Sequence, residues 1–594
     1  MLALADLHSR LRAFTAGHAS LCFVALFVLA LLPHCCSYIK HHPDERHYTD
    51  GALLMNQTGN FLTPQTAEGN LRLRKPIFTY WIVAASHQLL GVSPFSSRLP
   101  FVILGGLCIY LTHATTKILF RCQQVAFLAA VLTLSHPAII VASPRSMPDI
   151  VLAFGICLST YGFLKLLLQP GDQAWKAILA AYIGAGIAIS SKGLPGVLFL
   201  GVALAAMLLF DRKRQSAWKQ HLVGLAVCGA VGGGWFIAMS LLHPEKLVDQ
   251  FLGDQVTRRI SRKWWEPITT FPLVIMLLLT SFVPWLNMLR RPVIRQIRAL
   301  RDNFHNIRTF PLSPHQQGFA LLSVWIALYL TAASFVGRVN FRYQAPIAPA
   351  CCMIAAFLLG NLAPNRLSRL AQTTATWIFG ALLLAMSLGM LSLYPQAGVS
   401  PILAFALALL MIVGSLIIRQ SRTDTWKRSV LTLSVSILLF STAYGLYLTE
   451  ANHSLEQKIL AKLSSHGIVD KPVIIIAKSS YASRLRVVSK GRLPVQWYES
   501  LETVPTAEIE KAAAIITDHS SSLEIDSDRA DIQIPNGISI RSKDLVRSFK
   551  AGQFWDYLEQ AKRTVCIRLH PSDRIPARLA NRNHPHQEVD TTYR

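Results

Sequence analysis

Asp44 and Glu45 lie in a dense polar stretch, His41-His42-Pro43-Asp44-Glu45-Arg46-His47-Tyr48, that begins where the first apolar run of the chain ends. Carboxylates at the edge of an apolar segment can act as a general base, bind a cation or pair with a neighbouring arginine. The plain alternative is a solvated loop in which either acid pairs with Arg46. Asp149 opens another apolar run, directly after Ser143-Pro144-Arg145-Ser146-Met147-Pro148. It reads either as a helix cap or, if it converges with Asp44, as the second acid of a site. Lys75 precedes Pro76 and the aromatics Phe78, Tyr80 and Trp81, a pattern of an interfacial helix with its rings at headgroup level. Lys75, with Arg258 or Arg259 and Tyr343, would suit a lipid phosphate: the lysine as a point charge, the arginine as a fork, the tyrosine as a hydroxyl donor. His41, His42 and His47 stand close to two acids, but their spacing fits no standard metal site. Ser191-Lys192-Gly193 is a tight turn between two apolar runs, which a helix end with a C-terminal glycine explains.

These residues sit on a chain built for a bilayer. Its 594 residues are 52% hydrophobic and 15% charged, with a mean hydropathy of +0.37. A soluble domain carries about 25% charged residues, so this chain lacks the charge to coat a water-facing surface. Fifty-eight Lys and Arg against 32 Asp and Glu leave a formal +26. In a soluble chain that excess would suggest nucleic acid; in a membrane protein it marks cytoplasmic loops, and no nucleic-acid partner is expected. Disorder, collagen and a disulfide scaffold are excluded by the apolar content and the low Gly and Cys counts. Most of the ten cysteines, Cys22, Cys35, Cys36, Cys108, Cys157, Cys228, Cys351 and Cys352 among them, lie in or beside apolar runs as small hydrophobes. Cys566 stands alone in the polar C-terminal segment, and no CxxC spacing suggests zinc or redox chemistry.

Runs long enough to span a bilayer lie near 19–37, 99–120, 124–142, 149–168, 177–191, 193–210, 221–242, 271–289, 317–336, 345–361, 375–394, 401–418 and 429–449. That is a polytopic α-helical membrane protein of about 13 transmembrane helices. The first run lacks a small-residue cleavage site and is read as a retained helix. With the N-terminus cytoplasmic, the basic groups Arg10/Arg12, Arg212–Lys219, Arg290–Arg308, Arg366/Arg369 and Arg419–Arg428 all fall on the inner side when helices alternate. Lys75, Arg258, Arg259, Arg262, Lys263, Arg338 and Arg342 fall on the outer side instead and are candidates for binding an anion there.

The domain reading is a transmembrane part, residues 1–450, with a long outer loop at 38–97, followed by residues 451–594 as a small C-terminal α/β domain outside the membrane. Val473–Ile476, Ala513–Ile516 and Val565–Ile567 read as buried strands, and 542–561 as a helix. The tail after Ala577 is polar. No internal repeat is visible, which argues against the many transporters built from repeated halves.

Read in order, the motifs form a series. Asp44-Glu45-x-x-Tyr48 is followed by Gly59-Asn60-Phe61-Leu62-Thr63-Pro64, Arg74-Lys75-Pro76-Ile77-Phe78-Thr79-Tyr80-Trp81, Leu89-Leu90-Gly91-Val92 and Ser97-Arg98-Leu99-Pro100. Asp149, Ser191-Lys192-Gly193-Leu194-Pro195-Gly196 and Arg342-Tyr343-Gln344-Ala345-Pro346 continue it. The series resembles the bacterial aminoarabinose-transferase and protein-mannosyltransferase superfamily, membrane glycosyltransferases of the GT-C fold that use polyprenyl-phosphate sugars. It covers roughly the first 350 residues, and the rest in layout only. The resemblance implies that Asp44, with Glu45 beside it, and Asp149 are catalytic acids. It likewise implies that Lys75, Tyr343 and Arg258 or Arg259 hold the carrier phosphate, and that the reaction needs neither metal nor cofactor. Arg74 stands where lipid A aminoarabinose transferases often carry an acid before the Lys-Pro, which removes a potential metal ligand.

The expected activity is inverting transfer of a sugar from undecaprenyl phosphate to lipid A or LPS, another glycan, or protein, at the periplasmic face of a bacterial inner membrane. Two other classes compete. A transporter or flippase of lipid-linked sugars would place its working charges inside the spans, and a scaffold would leave Asp44 and Lys75 replaceable.

Overall fold

The computed structural model describes residues 19–36, 44–67, 69–169, 174–210, 218–257, 265–302, 313–336, 340–363, short pieces between 366 and 377, 426–451, 455–476, 479–518, 531–538, 552–553 and 562–569. The chain divides into two compact units, Met1–Asn452 and His453–Arg594.

The described part of the first unit is helical. Its helices are α1 (Ala19–Cys36), α2 (Glu45–Thr58), α3 (Phe78–Leu90), α4 (Pro94–Phe120), α5 (Gln123–Leu134), α6 (Pro137–Ala142), α7 (Pro148–Leu168) and α8 (Ala174–Lys192). They continue as α9 (Leu194–Phe210), α10 (Trp218–Leu242), α11 (Glu266–Ser281), α12 (Val283–Asp302), α13 (Pro314–Val336), α14 (Ala348–Gly360) and α15 (Trp426–Ala451). Among the described residues five helices are long and apolar enough to cross a membrane: α4, α7, α8, α10 and most of α13. A sixth span counts if α11 and the adjoining part of α12, bent by 101° at their junction, are one broken crossing.

Two expected runs are therefore interrupted. The run at 124–142 stops at Leu134, because Pro137 has no N–H to continue the ladder and the His136 ring accepts from the Ala138 N–H at 3.2 Å, capping the short α6. The run at 271–289 breaks at Phe282. The runs near 375–394 and 401–418 lie, save Trp377, outside the described residues, as does almost all of 542–561.

Helices α2 and α3 are held by the loop between them. Gly59, at φ 72°, ends α2 in the left-handed conformation that glycine adopts without strain. The following loop is pinned by the indole N–H groups of Trp81 and Trp235, which donate to the carbonyls of Phe61 (2.7 Å) and Leu62 (3.0 Å). Gln250 then pairs with the strand-like backbone ahead of Lys75, accepting from Leu73 N–H at 2.8 Å and donating to Leu71 carbonyl at 3.2 Å.

Helices α7 and α8 pack antiparallel and in backbone contact. A Cβ on Gly184 would fall 2.5 Å from the Ser159 nitrogen and 2.6 Å from the Gly155 carbonyl oxygen. Where lipid tails give helices no hydrophobic reason to associate, such close approach supplies the dispersion energy that joins them. It also sets the start of α7 beside the end of α8, and so Asp149 beside Lys192. Gly184→Val is expected to cost about 1–3 kcal/mol by overpacking and to weaken the site with it. Thermal unfolding of the detergent-solubilised protein checks this; an unchanged midpoint would show that the two backbones do not touch.

In the second unit a five-stranded sheet has the order β2-β1-β3-β5-β4, from Val495–Tyr498, Val473–Ile476, Ala514–Asp518, Lys562–Leu569 and Ile532–Ile538. β1 is parallel to both neighbours, while β3-β5-β4 run antiparallel. Helices Leu455–Ser465 and Ser479–Val488 bury Ile459, Leu463, Ala482 and Leu485 with residues of the sheet, and an Arg484–Glu456 ion pair of 2.7 Å joins the two helices.

Candidate active site

The site is built where helix ends meet. Asp44 is the residue just ahead of α2, and its side chain does not cap that helix. Asp149 lies in the first turn of α7, where Pro148 pre-sets the backbone, and Met147 occupies the cap position instead. Asp149 therefore does not serve as the cap. Its Oδ1 takes a 2.5 Å hydrogen bond from Lys192 Nζ at the last residue of α8. Gly193, at φ 73°, ends that helix, so the cap that its sequence suggests is also what delivers Lys192 to the acid.

Arg342 joins the pieces. It sits in the short 3-10 turn Phe341–Gln344, with its side chain only 4% exposed. One guanidinium nitrogen, Nη2, reaches Asp44 at 3.4 Å and the Tyr343 hydroxyl at 3.2 Å; another, Nη1, reaches the Met147 sulfur at 2.9 Å. Its Nε is buried without a hydrogen bond and lies 3.9 Å from Asp149, whose charge offsets the burial. Burial works against the guanidinium charge, but Asp149, Tyr343 and Asp44 more than compensate and raise its pKa. The Tyr343 ring has cations near its face, Lys192 Nζ at 4.7 Å and the Arg342 guanidinium at 4.9 Å from its centroid. The turn itself is fastened by Tyr329, whose hydroxyl donates to the Tyr343 carbonyl at 2.6 Å, and by Gln344, which bonds Ser281 and the Val274 carbonyl on α11.

The three acids differ in access. Asp44 is 52% exposed, Asp149 is 3% and Glu45 is 1%. Glu45 accepts from Arg98 Nε (2.8 Å), Arg98 Nη2 (3.1 Å) and the Ser146 N–H (2.9 Å). Arg98 also donates to the His34 carbonyl at 3.1 Å. Glu45 is thus a brace that ties α2 to α4, to the end of α1 and to the turn ahead of Asp149, with no open oxygen for a substrate. Asp44 is the acid that a substrate can reach.

A second layer of cations flanks Asp44. Arg72 donates to the Tyr80 hydroxyl at 2.6 Å and lies 5.8 Å from the Tyr48 ring centroid. Burial, reinforced chiefly by Arg72 and Arg46, pushes His47 down to about 3, so this imidazole is neutral at neutral pH. Lys75 is half-buried on the turn between the Leu71–Leu73 segment and α3. Arg258 and Arg259, and with them His41 and His42, lie outside the described residues. Among the described residues no cluster of three or more His, Cys, Asp or Glu could hold a metal ion.

Reading the sequence by types and spacing singled out Asp44, Asp149 and Tyr343, which the fold brings together. By type and spacing alone, Lys192 reads as a turn residue, Arg342 as one of several outer cations, and Arg98 as part of a motif with no role of its own. The usable signal was a charge at or near the end of an apolar helix, which must find a partner.

A family model described as "Dolichyl-phosphate-mannose-protein mannosyltransferase" matches residues 74–232. The chain is 22% identical over 352 residues to the undecaprenyl phosphate-alpha-4-amino-4-deoxy-L-arabinose arabinosyl transferase 1 of Pseudomonas fluorescens, an overlap of 57% of this chain and 56% of that one. It thus spans a little over half the length of that relative. The crystal structure of ArnT from Cupriavidus metallidurans in the apo state superposes with a TM-score of 0.62 at 16% identity, over 94% of this chain and 99% of that one. The same protein bound to undecaprenyl phosphate gives 0.61 at 16% identity, over 92% and 97%. The fold is that of the ArnT structure, the GT-C fold. The chain is similar to the aminoarabinose transferases and, over residues 74–232, to the protein mannosyltransferases.

Proposed function

We propose that this protein is an inverting glycosyltransferase that moves a sugar from undecaprenyl phosphate to an acceptor at the periplasmic face of a bacterial inner membrane. The observation that carries the proposal is the buried Arg342, which holds the exposed Asp44 and the enclosed Asp149–Lys192 pair in one cluster. The relative in Pseudomonas fluorescens, named for undecaprenyl phosphate and an amino sugar, and the undecaprenyl-phosphate complex of the ArnT structure support this donor class.

In this reading the donor's C1–O bond breaks and the lipid phosphate leaves with the electron pair. An acceptor oxygen forms the new bond to C1 from the opposite face, inverting it. A hydroxyl acceptor gives its proton to Asp44; a phosphate acceptor is already ionised and needs only positioning. Lys75, the Arg258/Arg259 pair and Tyr343 hold the departing phosphate as its charge grows. Asp149 acts through Lys192 and Arg342 as a positioning group, and Glu45 through Arg98. No metal or cofactor takes part. About thirteen spans, a cytoplasmic N-terminus and a periplasmic 451–594 domain complete the arrangement.

The test is transfer of label from a mixed extract of radiolabelled lipid-linked sugars by the purified wild type, with lipid A, glycan and protein fractions each analysed. Label in any one of them supports the reading and identifies the acceptor. No transfer from any donor would refute it.

A further inference from the structure

Arg145 lies on the turn between α6 and α7, four residues ahead of Asp149. It is half-buried, and the residues that follow it tie it to the charged cluster: the Ser146 N–H bonds Glu45 at 2.9 Å and the Met147 sulfur meets Arg342 Nη1 at 2.9 Å, while the Arg145 charge interacts with those of Glu45, Arg342, Arg98 and Asp149. Each of these cations is matched: Arg98 by Glu45, and Arg342 by Asp149 and Asp44. Arg145 is not. Among the described residues its side chain has no hydrogen bond and no carboxylate within ion-pair distance. Burial, and the repulsion of Arg342 and Arg98, work against its charge, and its pKa is lowered from the ordinary guanidinium value. Yet an arginine stays protonated in proteins, so this charge persists without a partner.

We propose that Arg145 is a substrate-binding residue whose partner is the phosphate of the lipid-linked donor, and of the polyprenyl phosphate left after transfer. The proposal rests on the donor class inferred above. The Arg145 guanidinium is repelled by two cations and attracted by two acids that are already bonded elsewhere. A phosphate, a monoanionic diester in the donor and a monoester of greater charge after transfer, supplies the missing negative charge and accepts two parallel N–H bonds from the fork. Met147, two residues on, touches Arg342, which also bonds the Tyr343 hydroxyl, so Arg145 belongs to the part of the cluster where the leaving group is expected.

The experiment measures binding of undecaprenyl phosphate, and of undecaprenol as the uncharged control, to full-length wild type, Arg145→Gln and Arg145→Lys in lipid nanodiscs. Wild type is expected to prefer the phosphate. Arg145→Gln should weaken phosphate binding about tenfold or more, as for loss of one charge-assisted bond, and leave undecaprenol binding unchanged. Arg145→Lys should fall between, keeping the charge but losing the fork. The undecaprenol control also shows that the variants are folded. Equal phosphate affinity in wild type and Arg145→Gln overturns the assignment of Arg145 alone. Absence of a phosphate preference in wild type overturns the donor class as well.

Discussion

Arg342→Met is expected to reduce sugar transfer by about 10²–10³-fold, the loss seen when one preorganised donor is removed from a site of developing charge. The side chain does three jobs at once. It orients Asp44, offsets Asp149 and fixes the Tyr343 hydroxyl. Arg342→Lys is expected to fare little better, because a single ammonium cannot reach three partners spread around a planar fork. Arg342→Met should also lose stability, since removing one partner of a buried charge network leaves the others less compensated. Asp149 keeps Lys192 in this variant, so the fall in thermal stability should be small beside the fall in activity. Transfer within threefold of wild type for Arg342→Met would show that this cluster is not where the chemistry occurs.

The second large effect is on folding. Arg98→Met leaves Glu45, 1% exposed, with the Ser146 N–H but without the guanidinium that binds both of its oxygens. Breaking a buried pair from one side costs about 3–5 kcal/mol, read as a lower unfolding midpoint in detergent. Glu45→Leu with Arg98→Met removes both charges and should recover most of that loss, because two apolar side chains need no solvation. The double variant should still transfer sugar more slowly than wild type, since the Ser146 backbone that leads to Asp149 loses its anchor. If Arg98→Met unfolds at the wild-type midpoint, Glu45 is not the brace described above.

How much of this could be read in the chain depends on range. The apolar periodicity marks α4, α7, α8, α10 and α13 because each is a local property of about twenty residues. The strands at 473–476, 514–518 and 562–569 are legible for the same reason. The break at His136-Pro137 is visible as a proline, yet the surrounding apolar residues conceal that it ends a helix. The ion pairs are another matter. Lys192 meets Asp149 across 43 residues, Arg98 meets Glu45 across 53, and Arg342 meets Asp44 across 298. Nothing in the local pattern at 342 says which acid it will find. That information sits in packing, as where Gly155 and Gly184 let α7 and α8 close on each other and bring Asp149 to Lys192. Asp44 and Glu45 are adjacent and alike in sequence; burial alone divides an accessible acid from a structural one.

The central claim is that Asp44 is the accessible acid of a sugar-transfer site that the other charges position. The most direct measurement is the transfer rate of Asp44→Asn at saturating lipid-linked donor, with undecaprenyl-phosphate affinity measured on the same preparation. The expected result is a rate lowered by at least about 10²-fold, within the range of general-base removal, with lipid affinity within twofold of wild type. A variant that binds the lipid and transfers sugar at the wild-type rate would contradict it.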